Sequence, residues 1–119
     1  MSKTASLFTP RIGTSCIIYK NYMYLIGGVD VNYVPTNIIE RAQIYTDRSV
    51  SNWESFGQLS VPRTDTTCVV NDGLIYVIGG IGIDGKIIGD LEYIDVDSTQ
   101  SHTNEEIIDC DKYRYVRGC

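Results

Sequence analysis

Two stretches of this chain are almost the same seven letters, YMYLIGG at 22–28 and LIYVIGG at 74–80, with 52 positions between their starts. The similarity extends without a gap over RIGTSCIIYKNYMYLIGG at 11–28 and RTDTTCVVNDGLIYVIGG at 63–80. Self-similarity at a fixed period is the signature of chains that repeat one supersecondary unit. The sequence therefore predicts two copies of one structural unit within 119 residues.

Each copy contains two short apolar runs separated by residues that favour tight turns. The runs cover 15–19 and 22–26 in the first copy, and 67–70 and 74–78 in the second. Asn and Gly, which tolerate the positive φ of tight hairpin turns, occur between the runs. Each copy is therefore expected to begin as a β-hairpin. Because the runs are nearly all apolar rather than alternating, we expect strands covered on both faces.

A Gly-Gly pair ends the second run of each copy. Gly27 and Gly28 end the first hairpin, and Gly79 and Gly80 end the second. At such a strand exit a Cβ would clash with a passing loop or sheet, or would forbid the φ that the backbone needs. A pair that recurs at a fixed offset indicates a structural device of the repeat.

The rest of each copy predicts further short strands. The first copy continues with a polar loop at 29–37 and strands at 42–46 and 53–57, and the second with a loop at 81–90 and a strand at 91–95. Four short strands in about fifty residues describe an antiparallel blade of a β-propeller. The predicted fold class is all-β with about two four-stranded blades. This would be an incomplete propeller, because closed propellers have roughly four to eight blades.

The order of the repeated residues resembles the kelch repeat. An arginine precedes an apolar hairpin that ends in Gly-Gly, and a tyrosine and then a tryptophan follow. The matching residues are Arg11, Tyr24, Gly27, Gly28, Tyr45 and Trp53 in the first copy, and Arg63, Tyr76, Gly79, Gly80 and Glu92 in the second. The resemblance implies kelch repeats at 11–62 and 63–99, a lead-in at 1–10 and a non-repeat tail at 100–119.

The second copy departs from the repeat near its end. Ile94 stands where the resemblance requires a tyrosine, and neither His102 nor Glu105 supplies the tryptophan. A fourth strand in this copy is therefore left open. The abundance of Ile, Asn and Tyr is similar to that of poxvirus kelch proteins. The resemblance implies longer chains with an N-terminal BTB domain that recruits a ubiquitin ligase, and we expect that domain to be absent here.

The chain is acidic, with a formal net charge of −5 and a pI of about 4.6. An acidic surface repels phosphate backbones and anionic membranes, so neither nucleic acid nor membrane is an expected partner. No run approaches the roughly 20 apolar residues that span a bilayer, and the start has no apolar core of a secretory signal. We therefore expect a cytoplasmic protein, in the host cell cytoplasm if the chain is viral.

No motif for catalysis or for a cofactor is present. His102 is the single histidine, and a pair with Cys110 would have no evident third group to complete a catalytic triad. Some kelch propellers are copper oxidases with Cys, Tyr and His ligands, and one histidine cannot supply that set. Cys16 and Cys68 lie in apolar runs, where cysteine acts as a small hydrophobe. The acidic stretch at 95–106 lacks the glycine that a calcium loop needs. We expect no enzyme, no cofactor and no metal site.

Recognition of a protein partner remains. Partners of kelch propellers dock on loops at one end of the blades, so the resemblance points to the loops at 29–37 and 81–90. The candidate contact residues are Asp30, Asn32, Tyr33, Asp84 and Lys86. The repeated arginines are expected instead to donate hydrogen bonds across the blade junctions. The repeated Tyr and Trp residues are expected in the core.

Three functional interpretations stay open. The first is a non-catalytic protein-interaction module of a truncated viral kelch-like protein, which could at most bind or compete for host targets. The second is a decayed gene remnant with marginal folding and no selected function. The third is a propeller enzyme, which no motif supports. Because two blades leave two outer faces bare, we also expect self-association or a partner on those faces.

Overall fold

The computed structural model describes residues 10–97 and 107–108. Those residues form two four-stranded antiparallel sheets, with no helix and with the strands of each sheet in chain order. Sheet one contains β1 Ser15–Tyr19, β2 Tyr22–Ile26, β3 Ile38–Gln43 and β4 Glu54–Gln58. Sheet two contains β5 Thr67–Asn71, β6 Leu74–Ile78, β7 Leu91–Asp95 and β8 Ile107–Ile108. The predicted all-β fold of two blade-like sheets is confirmed.

Both predicted hairpins are present, and their turns are tight. Tyr19 pairs with Tyr22 across the first turn, which leaves two residues to reverse the chain. The first turn residue of each hairpin, Lys20 and Asp72, has a positive φ of 54° and 53°. Turns of this hand match the twist of antiparallel strands, so the turn residues set the register of both hairpins.

The third strand of sheet one lies earlier in the chain than predicted. β3 covers Ile38–Gln43 rather than 42–46, and it pairs with β2 along all of that strand. Glu40 and Arg41 concealed it, because adjacent opposite charges are typical of a solvated loop. In the fold the Glu40 side chain is fully buried against Arg11, and Arg41 stacks on an aromatic ring. Paired charges thus occupy the middle of a strand.

Sheet two acquires a fourth strand from the segment assigned to the tail. Ile107 and Ile108 pair with Glu92 and Leu91 of β7. Residues 1–9, 98–106 and 109–119, which include most of the predicted lead-in and tail, lie outside the described residues. The repeat boundaries stay a prediction. Among the described residues, no helix is long and apolar enough to cross a membrane.

The 52-residue period recurs in the backbone of the two units. The loop after each hairpin is held by two β-bridges at equivalent positions. These bridges link Ile12, Val29 and Pro35 in the first unit and Thr64, Ile81 and Ile87 in the second. A residue of unit one is therefore equivalent in structure to the residue 52 positions later in unit two.

The Gly-Gly pairs lie where backbone segments approach closely, as predicted. Gly28 and Gly80 share a φ of 101°, a region that favours glycine. A Cβ on Gly28 would lie 2.6 Å from the carbonyl oxygen of Ile12, and one on Gly80 would lie 2.6 Å from that of Thr64. The repeated glycines therefore allow the strand exit to pass against the segment that enters the same hairpin.

The hydrophobic core lies between the two sheets. One face of each sheet contributes to it, and we call these the inner faces. The buried members are Tyr24, Ile26, Ile39, Phe56 and Leu59 from the first unit and Ile75, Val77 and Ile94 from the second. Full burial of such a side chain stabilises the fold by about 1.5–3 kcal/mol, so this interface holds the two units together.

The opposite face of each sheet is its outer face. The prediction of strands covered on both faces is wrong for β1 and β5, because Ile18 is 57% exposed and Val69 is 47% exposed. Two stacked sheets share one interface, and in the part of the chain that the structure describes no third sheet lies against either outer face. The apolar character of these strands therefore exceeds what one interface can bury.

The repeated aromatic residues do not all lie in the core. Tyr24 is buried and packs edge-on against Phe56, with 5.3 Å between the ring centroids. Trp53 and Tyr76 are half-buried. The core prediction is wrong for Tyr45, which is 46% exposed, because this residue follows β3 in a turn rather than lying within the strand. Phe56 supplies the second buried ring in its place.

Candidate partner-binding surface

Arg63 is fully buried at the junction of the two units. Its Nη1 donates to the Gly79 carbonyl at 3.1 Å, and its Nη2 donates to Asp90 Oδ1 at 3.1 Å and Glu92 Oε1 at 3.0 Å. The second Glu92 oxygen accepts from the Ser60 amide at 2.9 Å. A planar guanidinium with several donors suits this arrangement, whereas a lysine could not satisfy it. Arg63 and Glu92 form an internal support with no face open to a partner.

Arg11 repeats this arrangement in the first unit. Its Nη2 donates to Glu40 Oε1 at 2.7 Å and its Nη1 to the Gly27 carbonyl at 3.0 Å, and both charged side chains are fully buried. Burial lowers the pKa of Arg11, and the adjacent Glu40 carboxylate raises it in partial compensation. The arginine remains a cation because its ordinary pKa lies far above neutrality.

The prediction that the arginine side chains bridge the units is wrong, because each donates within its own unit. Main-chain and hydroxyl groups bridge the junction instead. The Arg63 amide donates to the Thr36 carbonyl at 3.2 Å, and the Gly28 amide donates to the Arg63 carbonyl at 3.0 Å. Ser15 Oγ donates to the Thr66 carbonyl at 2.7 Å. The main chain of Arg63 thus belongs to the junction while its side chain anchors the following sheet.

An exposed polar contact links the two sheets at their other end. Asp97 Oδ1 accepts hydrogen bonds from Lys20 Nζ at 2.9 Å and from the Tyr19 hydroxyl at 3.0 Å. These bonds lower the pKa of Asp97, and the same contact with Asp97 raises the pKa of Lys20. The first hairpin turn is thereby connected to the end of β7.

The loop at 29–37 is shaped by one of its predicted contact residues. Asp30 Oδ1 accepts from the Asn32 amide at 2.8 Å and from the Val34 amide at 3.1 Å, so Asp30 fixes the loop rather than offering a free carboxylate. Tyr33 is 78% exposed and has a φ of 61°. For a bulky residue this backbone conformation is strained. The loop therefore holds an aromatic side chain in solvent on a fixed turn.

The loop at 81–90 has the same internal design. Asp84 Oδ1 accepts from the Lys86 amide at 3.0 Å, and Gly85 occupies the positive-φ position that Tyr33 occupies in the first loop. The side chain of Lys86 is exposed. Ile87, which is 81% exposed, lies beside it. A loop fixed by its own hydrogen bonds thus presents a charge and an apolar side chain together.

A groove with a volume of about 500 Å³ lies between this second loop and the chain that connects the units. Its lining is mainly apolar, with one acidic and one basic side chain. The lining residues are Val61, Pro62, Gly82, Ile83, Asp84, Lys86, Ile87 and Ile88. Asp84 and Lys86 therefore share one concave surface. Asp30, Asn32 and Tyr33 belong to the first loop and do not line it.

Sequence reasoning missed the apolar part of this groove. It selected polar and aromatic loop residues and passed over Ile83 and Ile87, because isoleucine in a strand-rich chain is usually core. The signal was present: the segment IGIDGKII combines turn-forming Gly and Asp with four isoleucines. Isoleucines that a tight loop cannot bury must face solvent or a partner. Nothing in the sequence around Val61 and Pro62 indicates that these linker residues line a groove, since only the fold brings them to the loop.

The described residues offer little for catalysis. Within residues 10–97, no three His, Cys, Asp or Glu side chains are grouped so as to hold a metal ion. Burial raises the pKa of the Cys16 and Cys68 thiols, which leaves less of the nucleophilic thiolate at neutral pH. His102 and most of the stretch 95–106, which was considered as a calcium loop, lie outside the described residues.

Comparisons with known proteins give three relatives, and no protein-family model matches. The chain is 36% identical over 80 residues to a kelch repeat protein of Myxoma virus (strain Lausanne), which covers 66% of this chain and 15% of that protein. It is 26% identical over 86 residues to an F-box/kelch-repeat protein of Arabidopsis thaliana, which covers 71% of this chain and 22% of that protein.

The third relative is a kelch repeat and BTB domain-containing protein of Ectromelia virus (strain Moscow). It is 29% identical over 94 residues, which covers 78% of this chain and 16% of that protein. The chain therefore spans less than a quarter of the length of each curated relative that it matches.

Proposed function

Because the chain is a relative of kelch-repeat proteins, we propose that it is a non-catalytic protein-interaction module that binds its partner at the groove beside the 81–90 loop. Kelch-repeat relatives generally suggest a module of this class. Two of the three relatives are poxviral, which supports a role in the cytoplasm of an infected cell, with a host protein as the partner. There the chain would compete with longer kelch proteins for a shared target.

The observation that carries the proposal is the apolar surface of the groove and its rim. Ile87 and Ile83 are 81% and 66% exposed, although both belong to a loop held in place by its own hydrogen bonds. Exposed apolar side chains gathered at a concave site mark interaction surfaces. A fixed loop loses little conformational entropy when a partner binds, so such a surface supports specific recognition.

The charges around the groove limit the kind of partner that fits it. Asp84 and Lys86 place one charge of each sign beside the isoleucines, which suits an apolar anchor side chain flanked by polar groups. The net charge of −5 favours encounter with a neutral or basic partner surface. The partner surface proposed here is therefore an apolar side chain within a neutral or basic segment.

A matched pair of variants tests the role of the groove. Ile87→Glu places a charge in the groove, and Val31→Glu places the same charge on the exposed first loop, which does not line the groove. Proteins captured from host-cell lysate by the wild-type chain would be purified and titrated against all three chains. We expect Ile87→Glu to weaken binding at least tenfold, about 1.4 kcal/mol, and Val31→Glu to bind as the wild type does.

Two results would overturn the proposed function. One is that no protein is captured reproducibly by the wild-type chain. The other is that a captured protein binds Ile87→Glu as tightly as the wild type. Both variants should keep the β-type circular dichroism spectrum, because neither residue belongs to the core between the sheets.

A further inference from the structure

The 52-residue period relates the outer face of sheet two to the inner face of sheet one. Inner-face residues of sheet one pack against sheet two, and their equivalents lie on the side of sheet two that faces away from the core. The equivalent pairs are Ile17 and Val69, Tyr24 and Tyr76, Ile26 and Ile78, and Ile39 and Leu91. Val69 is 47% exposed and Tyr76 and Ile78 are half-buried, whereas Leu91 is buried. The outer face of sheet two therefore has side chains of the kind that sheet one uses to pack against it, and most of them reach solvent.

The converse relation holds for the outer face of sheet one. Its residues are equivalent to those with which sheet two packs into the core. The pairs are Cys16 and Cys68, Ile18 and Val70, Leu25 and Val77, and Ala42 and Ile94. All eight side chains are small or aliphatic. Each outer face thus has the same kind of side chains as the inner face of the other sheet. The two outer faces could therefore pack against each other as the two inner faces do.

We propose that the chain binds a second copy of itself head to tail, with the outer face of sheet two on one copy against the outer face of sheet one on the next. The internal interface between the sheets is the template for this contact. It would cover Ile18 and Val69, the two large apolar side chains most exposed on these faces. The occupant is a second copy because each outer face already has its equivalent partner surface in the same sequence.

Hydroxyl groups at the junction follow the same equivalence. Within one chain Ser15 Oγ contacts Thr66 Oγ1 at 2.6 Å and donates to the Thr66 carbonyl. The equivalent residues are Thr67 on sheet two and Thr14 before sheet one. A head-to-tail contact sets Thr67 of one copy against Thr14 of the next, so the junction keeps a hydroxyl on both sides.

The exposed Tyr45 also has a place in this contact. Asp97, which binds Lys20 inside the chain, is equivalent to Tyr45, and Lys20 is equivalent to Asp72. A head-to-tail contact sets the Tyr45 hydroxyl of one copy opposite the Asp72 carboxylate of the next, where it can donate a hydrogen bond. The junction between copies thus has no lysine–carboxylate ion pair, and its strength should depend little on salt.

A head-to-tail contact uses two different surfaces, so it propagates until the copies close into a ring. Sheets that stack with a constant rotation close at roughly four to eight blades, which corresponds to about two to four copies of a two-sheet chain. The ring would have all inner and outer faces covered. The contact between copies is made mainly by the sheet faces, whereas the groove is lined by loop and linker residues. The two surfaces adjoin at Ile88, which lines the groove and is equivalent to Thr36, whose carbonyl accepts from the Arg63 amide at the internal junction. Ile18 and Val69, which the test below changes, do not line the groove.

Two charge-introducing variants test both the contact and its polarity. Ile18→Glu blocks the outer face of sheet one, and Val69→Glu blocks the outer face of sheet two. Neither side chain belongs to the core cluster, so both variants should fold. Val31→Glu, on the exposed first loop, is the control with the same charge change. Masses are measured by light scattering and by analytical ultracentrifugation over a range of concentrations.

The head-to-tail arrangement predicts a distinctive result. The wild type and Val31→Glu form a defined oligomer, and each blocked variant alone remains at the 13.3 kDa mass of one chain. An equimolar mixture of Ile18→Glu and Val69→Glu forms a species of twice that mass, because each variant supplies the face that the other lacks. A monomeric wild type, an oligomer that survives either substitution, or a mixture that stays monomeric would each overturn the proposal.

Discussion

Arg63 carries a positive charge into the core, and its carboxylate partners make that position tolerable. Replacing Arg63 with methionine would leave the Glu92 carboxylate buried, with the Ser60 amide and hydroxyl as its remaining donors within the part of the chain that the structure describes. Removing one member of a buried ion pair typically costs about 3–5 kcal/mol. We expect Arg63→Met to lower the free energy of unfolding by that amount, or to prevent folding. Urea denaturation followed by circular dichroism measures the loss.

Lys20→Met is the matched control for that experiment. It also removes a cation from an ion pair, but Lys20 and Asp97 have exposed side chains that water screens. We expect its effect on the free energy of unfolding to be much smaller than that of Arg63→Met. Equal losses for the two variants would show that burial of Arg63 and Glu92 is not what makes their pair important.

The repeated glycines give a second test at the scale of single residues. Gly80→Ala would introduce a Cβ 2.6 Å from the Thr64 carbonyl oxygen at a φ of 101°. Gly89 has no heavy atom within 4 Å of such a Cβ and no positive φ. We expect Gly80→Ala to destabilise the chain by at least ~1 kcal/mol and Gly89→Ala to leave it unchanged or slightly stabilised. Melting temperatures of the two alanine variants decide this directly.

Single-residue roles were predictable where the repeat itself carried the information. The close-approach role of Gly28 and Gly80 could be predicted because the glycine occurs at the same position of both repeats. The burial of Phe56 could not, because it depends on a bulge: β3 pairs Ile39 with Gly57 and Glu40 with Ser55, which leaves Phe56 as the extra residue. A bulge redirects a side chain without any local sequence signal.

At the scale of elements, the contact of Lys20 with Asp97 should make the link between the hairpin turn and β7 depend on pH. The hydrogen bond from Lys20 lowers the pKa of Asp97 in the folded chain. The stabilisation from ionised Asp97 is therefore fully present above about pH 4, the pKa of an aspartate in the unfolded chain, and it is lost as the pH falls through the lower folded pKa. The hydrogen bond with Asp97 raises the pKa of Lys20 in the folded chain. The stabilisation from charged Lys20 is therefore fully present below about pH 10.4, the pKa of a lysine in the unfolded chain, and it is lost as the pH rises through the higher folded pKa.

The expected observation is a difference between wild type and Lys20→Met that changes with pH. That difference in unfolding free energy should be constant across the neutral range and should shrink at both extremes. Chemical denaturation at a series of pH values measures it. A difference that grows towards acid pH would contradict the assigned contact, because protonated Asp97 cannot attract Lys20.

Strands with continuous apolar runs were predictable from the sequence. The runs of β1, β2 and β6 could be identified directly, since a short apolar run between turn residues has few alternatives. β7 was also placed correctly although it contains Glu92. β3 was misplaced because Glu40 and Arg41 occupy its centre, and only the fold supplies their partners. The groove was missed for a related reason: Val61 and Ile83 are distant in sequence, and only the fold brings both of them to the groove.

At the scale of the molecule, each unit depends on a neighbour. Sheet one buries its inner face against sheet two, but β1 and β5 retain exposed apolar side chains on their other sides. The same period that predicts two units from the sequence also predicts how a further unit would pack, because Ile17, Tyr24, Ile26 and Ile39 at the internal interface have equivalents on the outer face of sheet two. The stability of the chain should therefore be linked to its assembly.

That linkage predicts a melting temperature that depends on protein concentration. If folded chains bind head to tail, mass action stabilises the folded state, so the wild-type melting temperature should rise by several degrees over a roughly hundredfold increase in concentration. Ile18→Glu and Val69→Glu, which block one outer face each, should melt at temperatures independent of concentration, and their equimolar mixture should recover part of the dependence. Differential scanning calorimetry on the four samples measures this. A wild-type melt that does not move with concentration would mean that the two outer faces do not meet in solution.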